Sequence, residues 1–254
     1  MRVWLAGILW LSILACVARA QDSRSAPQDG GVREVLESIV IPPIPQAPFS
    51  ATLATEWIKY AADGATMTFV NERHIARDSR GRIYQERWYP VPKNGSVKST
   101  MNWIQLVDPR QRTLYNCSTE KHACEVLLYD PAGDLSAASA RKGSAGPLPH
   151  GNGNVAWEDL ATTNIAGIDT VGTRETTILN AGTVGNDLPL TLIGEYWHSE
   201  QLGINLRSIR TSPTFGKQVF TVTELTPGDP DAQLFELPAG YKVNDQRKNP
   251  LISH

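Results

Sequence analysis

Four glutamates lie in segments whose residues alternate between apolar and polar, and they are the residues with the clearest potential for catalysis. Two carboxyl groups that converge in a cleft can act as general acid and base on a glycoside. Glutamates on strands also occur on solvated sheet faces, so the same residues fit a non-catalytic surface. Both interpretations stay open. The four residues are Glu56, Glu72, Glu86 and Glu195.

Other catalytic signatures are missing from the sequence. It has no Gly-x-Ser-x-Gly elbow, no His-Glu-x-x-His pair, no phosphate-binding glycine loop and no acidic calcium loop. The histidines are scattered, which is typical of surface or half-buried residues rather than metal ligands. We therefore predict no cofactor and no metal, and the sequence favours a non-enzyme over an enzyme. The histidines are His74, His122, His150, His198 and His254.

A set of aromatic and sulfur-containing residues suits binding better than catalysis. They fall on several predicted strands, and a curved sheet could gather them around one concave face that accepts an apolar ligand. The alternative is that they fill the core, as large apolar residues usually do. The candidate ligand-binding residues are Trp57, Met67, Phe69, Trp88, Trp103 and Trp197.

Two cysteines are predicted to form a structural disulfide. Cys117 and Cys124 lie at the ends of two short apolar runs, residues 112–116 and 125–129, that could face each other in a hairpin. In an exported chain such a pair indicates a disulfide. The spacing is too long for a Cys-x-x-Cys redox motif, and His122 alone adds too few ligands for zinc.

The N-terminus has the pattern of a cleavable secretory signal over residues 1–20. Arg2 is followed by an apolar stretch and then by a small-x-small motif that places cleavage between Ala20 and Gln21. The apolar stretch is shorter than the roughly 20 residues of a membrane-spanning helix. The sequence therefore predicts an exported protein, periplasmic or extracellular.

A second processing site lies inside the same stretch. Residues 13–16 resemble a bacterial lipobox, in which Cys16 would become the lipidated first residue. Lipidation would anchor the protein to the outer membrane without altering the domain that follows. Membrane attachment is expected only in that case.

Composition limits the domain count and the class of partner. The chain has 254 residues, with 41% hydrophobic and 20% charged residues, and a formal net charge of −2. These values fit one globular domain with a hydrophobic core. No basic block is present to neutralise phosphates, so nucleic acid is excluded as a partner.

Residues 21–48 are predicted to lie outside the core. They begin as a polar segment, continue as a short amphipathic helix and end as a proline-rich lead-in over residues 41–48. The helix is indicated by apolar residues at helical spacing. These residues are Val32, Val35, Leu36, Ile39 and Val40.

From Phe49 the apolar period changes to two, and residues 49–254 are predicted to form a single β-rich domain. Short turns between successive runs imply antiparallel pairing. Residues 131–154 break the pattern and are interpreted as a flexible insertion, either a linker or a lid. Three runs at residues 190–199, 204–211 and 217–225 predict a β-meander. The predicted fold is mainly β: a curved antiparallel sheet or half-open β-barrel with one short N-terminal helix and a long central loop.

The C-terminal third resembles a pattern of exported bacterial proteins. It contains Glu195-Tyr196-Trp197-His198-Ser199, and it closes with Leu234-Phe235-Glu236-Leu237-Pro238-Ala239-Gly240-Tyr241. These motifs are similar to those of uncharacterised secreted proteins and, more distantly, of the periplasmic lipoprotein-carrier (LolA-like) family. The resemblance covers about 50 residues and implies a half-open barrel with an apolar cavity for acyl chains. The central insertion has no counterpart in that family.

Three functions remain compatible with the sequence. The first is a non-catalytic exported binding protein for a lipid-like or apolar ligand, or for an envelope protein. The second is a secreted hydrolase that uses paired carboxylates, and the third is a structural cell-surface protein.

Overall fold

The structure, a computed structural model, describes residues 38–131 and 143–247. The predicted signal peptide, the cleavage site at Ala20 and Gln21, and the lipidation site at Cys16 lie outside these residues. All described residues belong to one unit of the chain, residues 36–254. Within that part of the chain, no helix has both the length and the apolar character needed to cross a membrane.

Within the described residues, fourteen strands form one curved sheet that does not close on itself, which confirms the predicted fold class. Two short 3-10 helices, Pro149–Gly151 and Ala232–Phe235, accompany it. The strands are β1 (Phe49–Tyr60), β2 (Thr66–Arg77), β3 (Ile83–Trp88), β4 (Val91–Pro92), β5 (Met101–Asp108), β6 (Thr113–Ser118), β7 (Ala123–Leu128), β8 (Gly146–Pro147), β9 (Gly153–Ile165), β10 (Ile168–Leu179), β11 (Leu190–Ser199), β12 (Ile204–Ser212), β13 (Gly216–Pro227) and β14 (Lys242–Asp245).

The strand order joins distant parts of the sequence at the centre of the sheet. It runs β14-β7-β6-β5-β3-β2-β1-β13-β12-β11-β10-β9-β8, with β4 paired to β2. Neighbours are antiparallel except for β14, which runs parallel to β7. The pairing of β1 with β13 therefore unites two antiparallel meanders, one from each half of the chain.

Alternation along β1 defines the two faces of the sheet. Phe49, Ala51 and Leu53 are buried, and they define the core face. Thr52, Ala54 and Glu56 point to the opposite side, which we call the outer face. The core-face cluster also includes Ile75, Ile83, Leu206, Phe220 and Val222.

The prediction that residues 21–48 lie outside the core is wrong for the described end of that segment. Ile39 and Ile41 are buried in the core cluster at 4% and 3% exposure. Residues 38–43 have no regular secondary structure, so the predicted helix does not include Ile39 and Val40. Residues 32–37, which carry the rest of that prediction, are outside the described part of the chain.

A buried arginine explains why this proline-rich segment packs against the sheet. Prolines and irregular loops leave carbonyl groups without strand partners, and buried carbonyls need donors. Arg77 is fully buried and donates to the carbonyls of Pro42, Ala47 and Leu202 at 2.5–3.0 Å. Burial lowers the pKa of Arg77 to about 10. The arginine thus connects the segment to β2 and to the β11–β12 turn.

The predicted hairpins and the disulfide are confirmed. Cys117 on β6 lies directly opposite Cys124 on β7, and the two form a disulfide. Strands β11, β12 and β13 form the predicted C-terminal meander. Gly216 in its last turn requires glycine, since its φ is +78° and a Cβ would lie 2.1 Å from the Ile58 carbonyl oxygen.

The predicted central insertion is only partly described. Residues 132–142 lie outside the described part of the chain. Gly146 and Pro147 form β8 against the start of β9, so the end of the insertion belongs to the sheet. A flexible role for the remainder stays a prediction.

The C-terminal segment covers part of the outer face. It leaves β13 at Pro227 and reaches β14 on the far side of β7, and the 3-10 helix Ala232–Phe235 lies between them. Leu234 and Phe235 of this helix pack on Ala76, Tyr84 and Leu106. The outer face therefore has its own small apolar cluster, beside the strands that remain uncovered.

Candidate functional site

A groove on the outer face has a cavity volume of about 990 Å³. Its floor is formed by β1, β2 and β13, which pair in register across it. Ala54 lies between Glu72 on β2 and Thr221 on β13, and Thr52 lies between His74 and Glu224. The residues that line it are Thr52, Ala54, Thr55, Glu56, Val70, Asn71, Glu72, Arg73, His74, Glu86, Trp88, Val91, Lys93, Ser99, Val219, Thr221, Thr223 and Glu224.

A gap in the strand ladder forms one side of the groove. β2 pairs with β3 only at residues 75–77, and with β4 only at Phe69 and Val70. Between these points, side chains replace the missing backbone pairs. Asn71 Nδ2 donates to the Trp88 carbonyl at 2.7 Å, and Arg73 Nη1 donates to the Glu86 carbonyl at 3.2 Å. The sheet opens here without leaving those carbonyls unpaired.

Glu86 is held in the groove by three donors. Its Oε1 accepts from the Tyr84 hydroxyl at 2.8 Å, and its Oε2 accepts from Trp88 Nε1 at 2.8 Å and from the His74 backbone amide at 3.0 Å. Burial and the hydrogen bond to Glu86 raise the pKa of Tyr84, so its hydroxyl stays protonated as a donor. Both oxygens of Glu86 therefore have structural partners.

The positively charged side chains of the groove also have hydrogen-bond or ion-pair partners. Lys93 Nζ lies 2.7 Å from Glu56 Oε1, across the groove from β1. Arg73 is 6% exposed, and its second guanidinium nitrogen donates to Ser38 Oγ in the N-terminal segment. Burial, followed by repulsion from Arg87, lowers the pKa of Arg73 to about 10.

Three of the four glutamates singled out from the sequence meet in this groove. Glu56, Glu72 and Glu86 line it, whereas Glu195 lies on β11, where it pairs with Arg174 at 2.6 Å. Among the described residues, the Glu72 side chain forms no hydrogen bond or ion pair. Within residues 38–131 and 143–247, no three His, Cys, Asp or Glu side chains group closely enough to hold a metal ion.

The six candidate apolar-ligand residues do not share one surface. Phe69 lies directly opposite Trp57 on the core face, with ring centroids 6.4 Å apart, and Trp57 Nε1 donates to the Phe215 carbonyl at 2.7 Å. Met67, on the same side of β2 as Phe69, is half exposed. Trp103 lies opposite Arg87, beyond the ladder gap.

The remaining two tryptophans lie on the outer face. Trp88 follows a register shift in β3 and lines the groove beside Glu86. Trp197 lies on β11 beneath the Arg207 guanidinium, 5.1 Å from its ring centroid. Ligand binding by the six residues as one set stays a prediction, and Trp88 is the member that the groove contains.

A smaller cavity of about 310 Å³ lies on the core face of β10, β11 and β12. Tyr196 lines this cavity and lies close to Gly194, where a Cβ would approach the tyrosine oxygen to 2.4 Å. Burial and the nearby Glu175 raise the pKa of Tyr196. The outer-face groove is about three times larger and contains three of the four candidate glutamates, so it is the better candidate site.

Sequence reasoning missed the part of the groove that β13 supplies. Thr221, Thr223 and Glu224 reach the groove only because β13 pairs with β1, about 170 residues earlier in the chain. Their alternation with buried Phe220 and Val222 showed that they are on an exposed face. It did not show which strand they lie beside.

No protein-family model and no curated protein matches the sequence. The MucA/MucB complex of Pseudomonas aeruginosa is a similar solved structure, at 15% identity and a TM-score of 0.40. The match covers 78% of this chain and 58% of that chain, so the chain spans less than two thirds of that structure's length.

Two further similar structures are smaller proteins. One is described as an outer membrane lipoprotein-sorting protein domain from Vibrio parahaemolyticus, at 10% identity and a TM-score of 0.18, with 74% of this chain and 88% of that chain covered. The other is a DUF1329 family protein from Desulfovibrio piger, at 13% identity and a TM-score of 0.19, with 75% and 90% covered. At these scores the likeness assigns neither a function nor a ligand.

Proposed function

We propose that this protein is an exported, non-catalytic binding protein that holds its ligand in the outer-face groove. The ligand is either an apolar or lipid-like molecule or a segment of an envelope protein. The observation that carries the proposal is the groove itself: a cavity of about 990 Å³ on one sheet, with the short side chains Thr52 and Ala54 at the centre of its floor. Such concave sites, with apolar walls and a few placed polar groups, are typical of binding sites.

The occupied carboxylates support binding over catalysis. A general base must offer a free oxygen to the substrate, and a nucleophile must approach it unhindered. Glu86 uses both oxygens to accept three hydrogen bonds, and Glu56 Oε1 accepts from Lys93. These contacts position the walls of the groove and leave the two glutamates little freedom to act on a substrate.

The disulfide between Cys117 and Cys124 supports export. Disulfides persist in oxidising compartments and are rare in the cytosol. Together with the secretory signal predicted for residues 1–20, the bond favours the periplasm or the extracellular space.

Native mass spectrometry of the protein purified from its own cell envelope tests the proposal. We expect a bound mass on the wild-type protein and its loss from Ala54→Trp, because an indole on the groove floor fills the cavity. Ala62→Trp, in the exposed turn after β1, is the matched control and should keep the bound mass. A clean unliganded mass for the wild type, with no uptake of a fluorescent fatty acid or of a cationic peptide, would contradict a binding function.

The convergence of Glu56, Glu72 and Glu86 favours one alternative, a hydrolase that acts through paired carboxylates. A screen against glycosides and esters tests it. If activity is found, Glu72→Gln and Glu86→Gln should abolish it, while Glu195→Gln should not. Activity that survives both groove substitutions removes the alternative.

A further inference from the structure

The carboxylates of the groove outnumber its cations. Glu56, Glu72, Glu86 and Glu224 line it, against Lys93 and Arg73. Lys93 is paired with Glu56, and Arg73 extends toward the N-terminal segment on the core face. Glu72 and Glu224 stand on either side of the floor without an ion-pair partner among the residues described. The open part of the groove is therefore negatively charged.

A buried hydrogen-bond acceptor without a partner also indicates a ligand that carries donor groups. Asn71 lines the groove and is 8% exposed, and its Oδ1 atom has no hydrogen-bond partner, although its Nδ2 donates to the Trp88 carbonyl. A buried polar atom without a partner costs free energy. Asn71 lies in register with Thr55, so its side chain is on the opposite side of β2 from Glu72, and a ligand would satisfy this oxygen by placing an N–H donor in the ladder gap.

The rest of the lining selects for a ligand with apolar groups as well. Val70, Val91 and Val219 contribute aliphatic surface, and Trp88 contributes an aromatic ring beside Glu86. Trp faces attract guanidinium and ammonium groups when these lie over the ring. The volume lies at the upper end of the roughly 300–1,000 Å³ found for small-molecule sites, enough for several residues of an extended chain.

We infer that the groove binds an extended peptide segment of another protein, one in which arginine or lysine alternates with apolar residues. This inference rests on the proposed binding function and specifies its partner. In an extended chain, alternate side chains point to opposite sides. Glu72 and Glu224 share the floor with Val70 and Val219, so basic side chains directed at the floor would reach the carboxylates and pack their aliphatic stems on these valines. The alternate apolar side chains would contact Val91 and Trp88 beyond β2.

Fluorescence anisotropy with a fluorescein-labelled peptide of four Arg-Val repeats tests the inference. We expect saturable one-to-one binding that weakens as salt is raised, because exposed charges are screened. The double variant Glu72→Gln with Glu224→Gln should bind about tenfold more weakly, in line with two partly exposed ion pairs. Glu120→Gln, in the exposed β6–β7 turn, makes a charge change away from the groove and should leave binding unchanged.

Two comparisons separate this inference from the proposed function. A Glu-Val peptide and a fluorescent fatty acid are tested on the wild type and on Ala54→Trp. The first outcome is that the Glu-Val peptide or the fatty acid binds to the wild type but not to Ala54→Trp, and the Arg-Val peptide does not bind. In that case the groove binds ligands, but the inferred cationic class of ligand is wrong. If the Arg-Val peptide binds equally well to the double variant, or to Ala54→Trp, the location is wrong. If no probe binds, the proposed function fails with the inference.

Discussion

Two acidic regions lie on the outer face of the same sheet, and they differ in the residue at their centre. On β9, β10 and β11, Arg174 lies in register between Glu158 and Glu195. It forms ion pairs with both, at 2.9 and 2.6 Å, and we call these three residues the ion-pair patch. On β2, β1 and β13, the residue in the corresponding position is Ala54, between Glu72 and Thr221.

This comparison shows that one residue on a middle strand can determine whether a sheet face carries an open groove or a filled ion-pair patch. The Arg174 side chain fills the space between its neighbours and offsets one of their two negative charges, and hydrogen bonds to Glu195 and then to Glu158 raise its pKa. The methyl group of Ala54 does neither, so the same strand geometry leaves a trough and an uncompensated carboxylate. Both the size and the charge of the central side chain contribute to this difference, and a substitution can change either property separately.

Ala54→Arg should convert the groove into a second ion-pair patch. The guanidinium would lie in register beside Glu72, fill the trough and cancel the charge that attracts a basic peptide. We expect binding of the Arg-Val peptide to fall by about a hundredfold or more, since both charge and space are lost. Anisotropy titration measures this, and thermal melting checks the fold.

Ala54→Ser is the control for that variant, because it changes the residue without filling the trough. It should bind within about twofold of the wild type. Unchanged binding by a folded Ala54→Arg protein would mean that the peptide site lies elsewhere.

Glu86→Gln should have the next largest effect, and on stability rather than on charge. The amide keeps one acceptor oxygen but places an NH2 donor at the other position, where it faces either the Tyr84 hydroxyl or the Trp88 and His74 N–H groups. Loss of such hydrogen bonds in a partly buried site costs about 1–3 kcal/mol. Urea denaturation measures the change in the free energy of unfolding.

Glu72→Gln is the matched comparison for Glu86, since both carboxylates line the groove and only Glu86 accepts these hydrogen bonds. Its free energy of unfolding should stay within about 0.5 kcal/mol of the wild type. Equal stability of the two variants would show that the contacts of Glu86 do not support the ladder gap.

Local patterns predicted most of the fold. Apolar residues at a period of two located β1, β2 and the C-terminal meander, and the short turns between them implied antiparallel pairing. The disulfide could be predicted because Cys117 and Cys124 are close in sequence and end the facing strands of one hairpin. Signals of this kind depend only on neighbouring residues.

The groove could be predicted only in part, since it depends on contacts between distant residues. Glu56, Glu72 and Glu86 could be assigned to strands of one meander, and the pairing of those strands brings them to one groove. The β1–β13 pairing that adds Thr221 and Glu224 leaves no local signal. A register shift after Arg87 sets the position of Trp88, and burial of Ile39 depends on carbonyl contacts to Arg77. None of these can be read from periodicity.

Arg174→Met separates charge from shape in the comparison. It leaves Glu158 and Glu195 without their cation, so the ion-pair patch becomes as acidic as the groove, but it creates no trough between the strands. We expect the Arg-Val peptide still to bind with a stoichiometry of one, measured by titration at concentrations above the dissociation constant. A second saturable site would show that negative charge alone is sufficient for peptide binding, and it would contradict the role assigned to Ala54.

Glu195→Gln and Glu158→Gln should give the smallest effects, and in that order. Glu195 accepts two hydrogen bonds from Arg174 and its side chain is 19% exposed, whereas Glu158 accepts one and is 60% exposed. Because exposed ion pairs contribute little and are screened by salt, the melting temperature should fall slightly for Glu195→Gln and stay unchanged within error for Glu158→Gln. The difference should shrink when sodium chloride is raised tenfold. A larger loss for Glu158→Gln, or a difference insensitive to salt, would mean that packing rather than ion pairing holds the patch together.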